Sequence, residues 1–229
     1  MDLLYSDVPA VDGGETRAWL ITGTTSKHTS AYKSKGESAD HALAAFQDRV
    51  REHGRPRRLL TDNASTFRAG RFITYLRDLW IALWQSESYK QNQNPVERRW
   101  NLIKRLVNRL LASTGAQPMF WFCALLYVIY CLNACIDTTL PGHAPRSPNM
   151  MAKGQFDDIS PMLAFKFNEP VYFTTNTEDS FPSESKEERG HFMGIAENVG
   201  HKMTWLIYCD ATNKLIERSE VRSALTSNL

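Results

Sequence analysis

Cysteine is scarce in this chain and poorly placed for metal or redox chemistry. The 229 residues hold four (Cys123, Cys131, Cys135 and Cys209), with no Cys-x-x-Cys pair and no His pair at zinc-ligand spacing. That pattern excludes a structural zinc site, so no zinc is expected. Three of the four lie in a strongly apolar stretch, where cysteine serves as a small core hydrophobe. The usage fits a reducing, intracellular compartment. No signal peptide and no internal repeat is visible.

Long uncharged runs are missing too, with one exception. Met119 to Ile136 (MFWFCALLYVIYCLNACI) carries no formal charge and approaches the length of a membrane span. It also contains Asn133, three cysteines and two tyrosines, and it lacks flanking Lys or Arg. A helix buried in a layered α/β protein reads the same way, so no membrane partner is expected.

A dominant charge is absent overall, since the formal net charge is +2. The distribution is uneven, however. Arg57 to Arg109 holds eleven Lys/Arg against four Asp/Glu, whereas Met151 onward holds eight against twelve. A locally basic segment suits a polyanionic partner, and it equally suits a solvated helix face.

What is present is a regular alternation of short apolar runs and amphipathic stretches. Leu3 to Asp7 reads as a strand ending in an acid, and it starts two residues after Met1, as in a fragment of a longer polyprotein or a truncated copy. Ala18–Thr25 and Ser30–Lys35 complete an antiparallel meander. Ser38 caps a helix to about His53, with Ala39, Ala42, Leu43, Phe46 and Val50 at helical spacing. Arg57–Thr61 is a fourth strand delivering Asp62. Phe67–Leu79 is helical, Ile81–Gln85 is a fifth strand, and helices follow from about Pro95 to Leu111 and from Pro118 to Cys135. Hairpin strands followed by alternating strands and helices predict an α/β fold: a ribonuclease H-like five-stranded mixed sheet with flanking helices over residues 1–150. Residues 151–164 read as a linker. Short runs at Pro170–Phe173, Gly190–Ile195, Thr204–Cys209 and Leu215–Glu217 predict a small β-barrel-like region over 165–229.

Asp7, Asp62 and Glu97 form the candidate catalytic set. Two acids at strand ends and a third in the first turn of a following helix can converge at one sheet edge. Hard carboxylate oxygens suit Mg2+ or Mn2+, and a two-ion site of this kind clamps the attacking and leaving oxygens of a phosphodiester. On the helix, Val96, Trp100, Ile103, Leu106, Val107, Leu110 and Leu111 make an apolar stripe. Glu97, Asn101, Lys104 and Asn108 make a polar face beside it, and Arg98, Arg105 and Arg109 the next, a ridge suited to a phosphate backbone. Each acid alone also reads as a turn former or a helix N-terminal acid.

Two segments carry a family resemblance. Leu59-Leu60-Thr61-Asp62-Asn63-Ala64-Ser65-Thr66-Phe67 resembles the second catalytic motif of retroviral and retrotransposon integrases. Glu87 to Arg98 (ESYKQNQNPVER) resembles the third, a Tyr- and Gln/Asn-rich loop before the catalytic Glu. Asp62 and Glu97 stand 35 positions apart, and Asp7 in Leu4-Tyr5-Ser6-Asp7 is similar to the first motif. Phe120-Trp121 and the apolar helix ending in Leu132-Asn133 resemble copia-type elements. Gly190, Gly194, Arg218, Ser219 and Val221 are the matching points in the tail.

The resemblance implies a DNA strand transferase, joining 3′ ends of a retrotransposon to target DNA with two Mg2+ or Mn2+ ions on Asp7, Asp62 and Glu97. It implies Lys90, Gln91 and Asn92 in a loop touching DNA, and Asn101, Lys104, Arg105 and Asn108 positioning the duplex. The implied partners are element ends, the target duplex and further copies of the chain, in the nucleus. Ala64 departs from the family's Gly, the third motif is one residue shorter than the retroviral form, and no His-His-Cys-Cys zinc module precedes Asp7 in this sequence. The alternatives are a non-catalytic DNA-binding relic of such an integrase and a ribonuclease H-type nuclease, which would want a fourth acid, with Glu37 and Asp40 as candidates.

Overall fold

The computed structural model describes residues 1–62, 64–68, 70–86, 95–142, 145–154, 158–175, 186–197, 199 and 203–225. Three antiparallel strands open it: β1 (Asp2–Tyr5), β2 (Arg17–Thr22) and β3 (Thr29–Ser34), in the order β1-β2-β3. The register pairs Asp2 with Leu20 and Leu4 with Ala18. Because side chains alternate across a strand, Leu4, Ala18 and Leu20 enter one core while Met1, Trp19 and Ile21 enter another.

Helix α1 (Ala39–His53) begins at Ser38, whose hydroxyl accepts from the His41 N–H. Its Ala42, Ala45 and Phe46 pack on the Met1–Trp19–Ile21 face. A 3-10 turn (Ser65–Arg68) and α2 (Gly70–Asp78) add Phe67, Phe72 and Leu76 to the same core. The rings interlock, with Phe67 and Phe72 centroids 5.5 Å apart and Trp19 and Phe67 5.7 Å apart, both edge-to-face.

Strands β4 (Arg58–Thr61) and β5 (Ala82–Gln85) pair in parallel as a separate two-stranded sheet. The strands expected in a single five-stranded sheet are thus present in a three-stranded and a two-stranded piece. A 2.9 Å hydrogen bond from the Met1 nitrogen to the Leu60 carbonyl lies between the pieces.

Helix α3 (Pro95–Thr114) lays Val96, Ile103 and Val107 onto the Leu4–Leu20 face. Helix α4 (Trp121–Ala134) is packed on several sides at once. It touches α3 and β3, and its Phe120–Tyr127 end meets the C-terminal strands, with Phe120 against Tyr208 at 4.9 Å and Tyr127 against Phe167 at 5.5 Å. Burial among other elements accounts for its uncharged sequence. Among the described residues no helix is long and apolar enough to cross a membrane. Asn133 fastens the helix: its Oδ1 accepts from the Thr29 N–H at 3.0 Å and its Nδ2 donates to the Thr29 carbonyl at 2.8 Å.

Two short helices, α5 (Pro148–Lys153) and α6 (Ser160–Leu163), stand at and beside the expected linker. Each is too short for an apolar period to show in sequence. Beyond them β6 (Pro170–Thr174), β7 (Glu187–Ile195), β8 (Trp205–Cys209), β9 (Lys214–Arg218) and β10 (Val221–Ser223) form an antiparallel sheet in the order β10-β6-β7-β8-β9. Only Ser219 and Glu220 separate β9 from β10, a reach of roughly 10 Å. A flat sheet would hold its outer strands about 19 Å apart, so this one curls until its edges approach, as a small barrel does. Gly190 permits the curl, since a Cβ there would run into the Tyr208 carbonyl oxygen, and the β7 register shifts between Phe192 and Gly194.

Candidate active site

Three carboxylates lie where β1 begins, β4 ends and α3 begins. Asp2 is the first residue of β1, Asp62 directly follows β4, and Glu97 lies in the first turn of α3. Asp2 is half-buried, and its Oδ1 accepts from the Leu3 N–H at 2.9 Å. Burial pushes its carboxyl above the ordinary Asp range. The negative charges of Asp62 and Glu97 push it further up, against the opposing effects of the Met1 amine and the Leu3 N–H. Three acids from distant parts of the chain therefore share one electrostatic environment.

Asp7, the expected first acid, is placed apart from the start of β1. It lies past the end of β1, exposed to solvent. Strand parity explains the difference. Asp2 and Leu4 share the face that α3 covers, while Leu3 packs toward the α1 side and the Tyr5 hydroxyl donates to Glu37 at 2.7 Å. Within the strand, odd-numbered Leu3 thus faces the side opposite Leu4. The sequence contained a signal for Asp2: it too starts the apolar Leu-Leu-Tyr run, at a position that shares parity with Leu4.

The carboxylates stand near one another without closing up. Among the described residues, no three of His, Cys, Asp and Glu lie close enough to hold a metal ion, and this applies to Asp2, Asp62 and Glu97 as it does to Asp7, Asp62 and Glu97. Neither candidate fourth acid joins the site. Glu37 takes the Tyr5 hydroxyl, and Asp40 faces Arg71 at 3.5 Å.

The polar face of α3 is laid out as its periodicity predicts. Asn101, Lys104, Arg105 and Asn108 are exposed, as are Arg98 and Arg109. The Arg105 Nε donates to the Asn101 carbonyl at 3.3 Å. Lys90, Gln91 and Asn92 lie outside the described residues.

One structural residue escapes a sequence reading. Asp137, after α4, takes Lys27 Nζ at 3.2 Å and approaches Arg99 of α3 at 4.0 Å. Desolvation works to raise its carboxyl pKa, but hydrogen bonds from Thr139 and the Lys27 ammonium win and hold it below the ordinary value. The contact ties the first turns of α3, and so Glu97, to the β2–β3 turn.

No family model and no curated protein sequence matches the chain. Solved structures do match. The simian T-cell lymphotropic virus intasome, solved in complex with PP2A regulatory subunit B56 gamma, contains a chain 16% identical with a TM-score of 0.53, covering 97% of this chain and 76% of that one. The HTLV-2 integrase catalytic core domain, solved as a dimer with magnesium, is 19% identical with a TM-score of 0.50, covering 67% of this chain and 92% of that one. The chain has an integrase-like fold.

Proposed function

We propose that this chain is an integrase-type polynucleotidyl transferase acting on DNA, with Asp2, Asp62 and Glu97 as its catalytic carboxylates. Asp2 takes the place that the sequence motifs give to Asp7. The observation that carries the reading is the placement of Asp2 at the start of β1, Asp62 directly after β4 and Glu97 in the first turn of α3 on an integrase-like fold. In the same reading the three- and two-stranded sheets belong to one ribonuclease H-like sheet in the order β3-β2-β1-β4-β5. The hydrogen bond from Met1 to the Leu60 carbonyl, between the two pieces, supports that order.

The donor chemistry suits a hard divalent cation, because three carboxylates concentrate anionic oxygen at one edge and offer no sulfur or imidazole. Bound there, Mg2+ or Mn2+ would acidify a water or hydroxyl and offset charge on the phosphodiester oxygens. Asp2, Asp62 and Glu97 would hold the ions. The exposed ridge of Asn101, Lys104, Arg105 and Asn108 would seat the phosphate backbone, and Lys90, Gln91 and Asn92 would contact DNA from the third motif. The motifs narrow the origin to a copia-type retrotransposon, with element ends and target duplex as substrates and a nuclear location. The dimeric HTLV-2 core supports self-association. Domain limits of 1–150 and 165–229 fit this plan.

The test is metal-dependent nicking and strand transfer on a duplex oligonucleotide. Turnover with Mn2+ or Mg2+ and its loss in Asp62→Asn, with folding retained, is the expected result. A second reading, a DNA-binding relic, is favoured by the open spacing of the acids. Duplex binding with no metal-dependent cleavage would establish it and end the catalytic proposal.

A further inference from the structure

Two tryptophans stand at either end of β5, and neither is packed away. Trp84 is 55% exposed and Trp80 is 85% exposed. Among the described residues β5 pairs only with β4, so its other edge is free. Strand parity sends Leu83 into the core beside α1 and α2, and Ala82 and Trp84 face the other side, where both are exposed. A large ring left in water contributes little to folding.

Trp80 also costs stability. The end of α2 is closed by the Ile81 N–H donating to the Leu76 carbonyl and the Trp80 N–H donating to the Arg77 carbonyl. That cap holds Trp80 in the left-handed region, with φ of 55°, at the position helices usually give to glycine. A bulky aromatic residue is an outlier there. The buried Ile81 and Leu76 complete the cap without help from the Trp80 ring. Strain carried by an exposed ring points to a use outside the fold. Arginines border both rings. The Arg58 guanidinium lies over Trp84, 4.5 Å from the ring centroid. Arg55 Nη1 donates to the carbonyl of Leu79, the residue before Trp80, at 2.7 Å. Residues 55–58 and 77–85 together hold Arg55, Arg57, Arg58 and Arg77 against Asp78 alone.

We infer that this edge binds an unpaired DNA strand, with bases stacked on Trp80 and Trp84 and phosphates beside Arg55 and Arg58. Exposed rings take the faces of bases whatever their sequence, and arginine adds positive charge next to them. Paired bases keep their faces inside the duplex, so the site favours single strands. The two tryptophans are four residues apart, about 13 Å along the chain at the rise of a strand, and therefore take bases that are not adjacent. The choice of DNA rests on the proposed function. The stacking does not, because neither tryptophan belongs to the carboxylate site.

The experiment titrates the intact protein into fluorescein-tagged oligodeoxythymidine, read by anisotropy, with a DNA duplex and oligouridine in parallel arms. EDTA is present throughout, so binding is read whether or not the chain cleaves. Saturable binding of oligodeoxythymidine, tighter than that of oligouridine, is the expected result. Trp84→Ala and Trp80→Gly should each weaken it about tenfold while leaving duplex affinity unchanged. Trp80→Gly should also melt at a higher temperature than the parent, since glycine relieves the left-handed strain. The proposal is overturned by an absence of saturable binding, by parent-like affinity in both variants, by equal losses for duplex and single strand, or by oligouridine binding as tightly as oligodeoxythymidine.

Discussion

At the residue scale, the assignment turns on strand parity. The Asp7 carboxylate and the Asp2 carboxylate sit on the same short segment, and the charges of Asp62 and Glu97 help to raise that of Asp2. Asp7→Asn should leave metal-dependent turnover within about twofold of the parent, while Asp2→Asn should lower it by at least about 100-fold. Steady-state cleavage rates of the two purified variants check this. Asp2 carries a stability consequence as well. Its folded-state pKa is raised, so folding disfavours the ionised form, and stability falls as pH rises past the unfolded value near 3.8. At pH 7, Asp2→Asn should therefore raise the melting temperature while it removes activity, an outcome that calorimetry would show. Asn133 makes the opposite case. Removing its amide leaves the Thr29 N–H and carbonyl without these bonds in a buried place, and Asn133→Ala should cost about 2–3 kcal/mol in urea unfolding.

At the element scale, sequence was informative wherever one physical cause acted alone. The Ser38 cap and the α1 periodicity placed that helix correctly, and the α3 stripe matched its burial residue by residue, with Val96, Ile103 and Val107 in the core. The first strand offers two acids, Asp2 and Asp7, because Leu3-Leu4-Tyr5 looks equally apolar from either end. Only the packing of α3 against Leu4 decides which neighbour faces the site. The contact of α1 with β3 was not legible either. There His28 and His53 stack at 4.5 Å. Burial, then the neighbouring His53, Arg49 and Lys153 charges, depress His28 to about 3. Burial, then Arg49 and Lys153, depress His53 to about 4. In the unfolded chain both protonate near 6.5. As pH falls below that value the unfolded state takes up protons that the folded state refuses, and stability declines until pH reaches about 4 for His53 and about 3 for His28. Urea midpoints measured from pH 7.5 to 4.5 should fall steadily, and His28→Asn should flatten the slope. The Gly190 approach was equally hidden, since its need comes from Tyr208 on another strand. Gly190→Ala should lower the melting temperature by several degrees.

At the scale of the whole molecule, α4 joins the parts. One apolar core takes in Leu4 and Leu20 from the meander, Ile103 from α3, Leu125 and Val128 from α4, and Phe167 and Met193 from beyond the expected linker. That shared core was invisible in sequence, where the tail read as a separate unit. It explains why a run with the hydropathy of a membrane segment belongs here to a buried helix. The same packing brings the charges of Asp62 and Glu97 within reach of Asp2, and the whole account rests on that proximity. Its most direct test is a carboxyl-carbon NMR titration of Asp2 in the parent and in Asp62→Asn. The account predicts an Asp2 pKa above the ordinary 3.8 in the parent and a clear downward shift once the Asp62 charge is removed. An Asp2 titration that is the same in both proteins would contradict it.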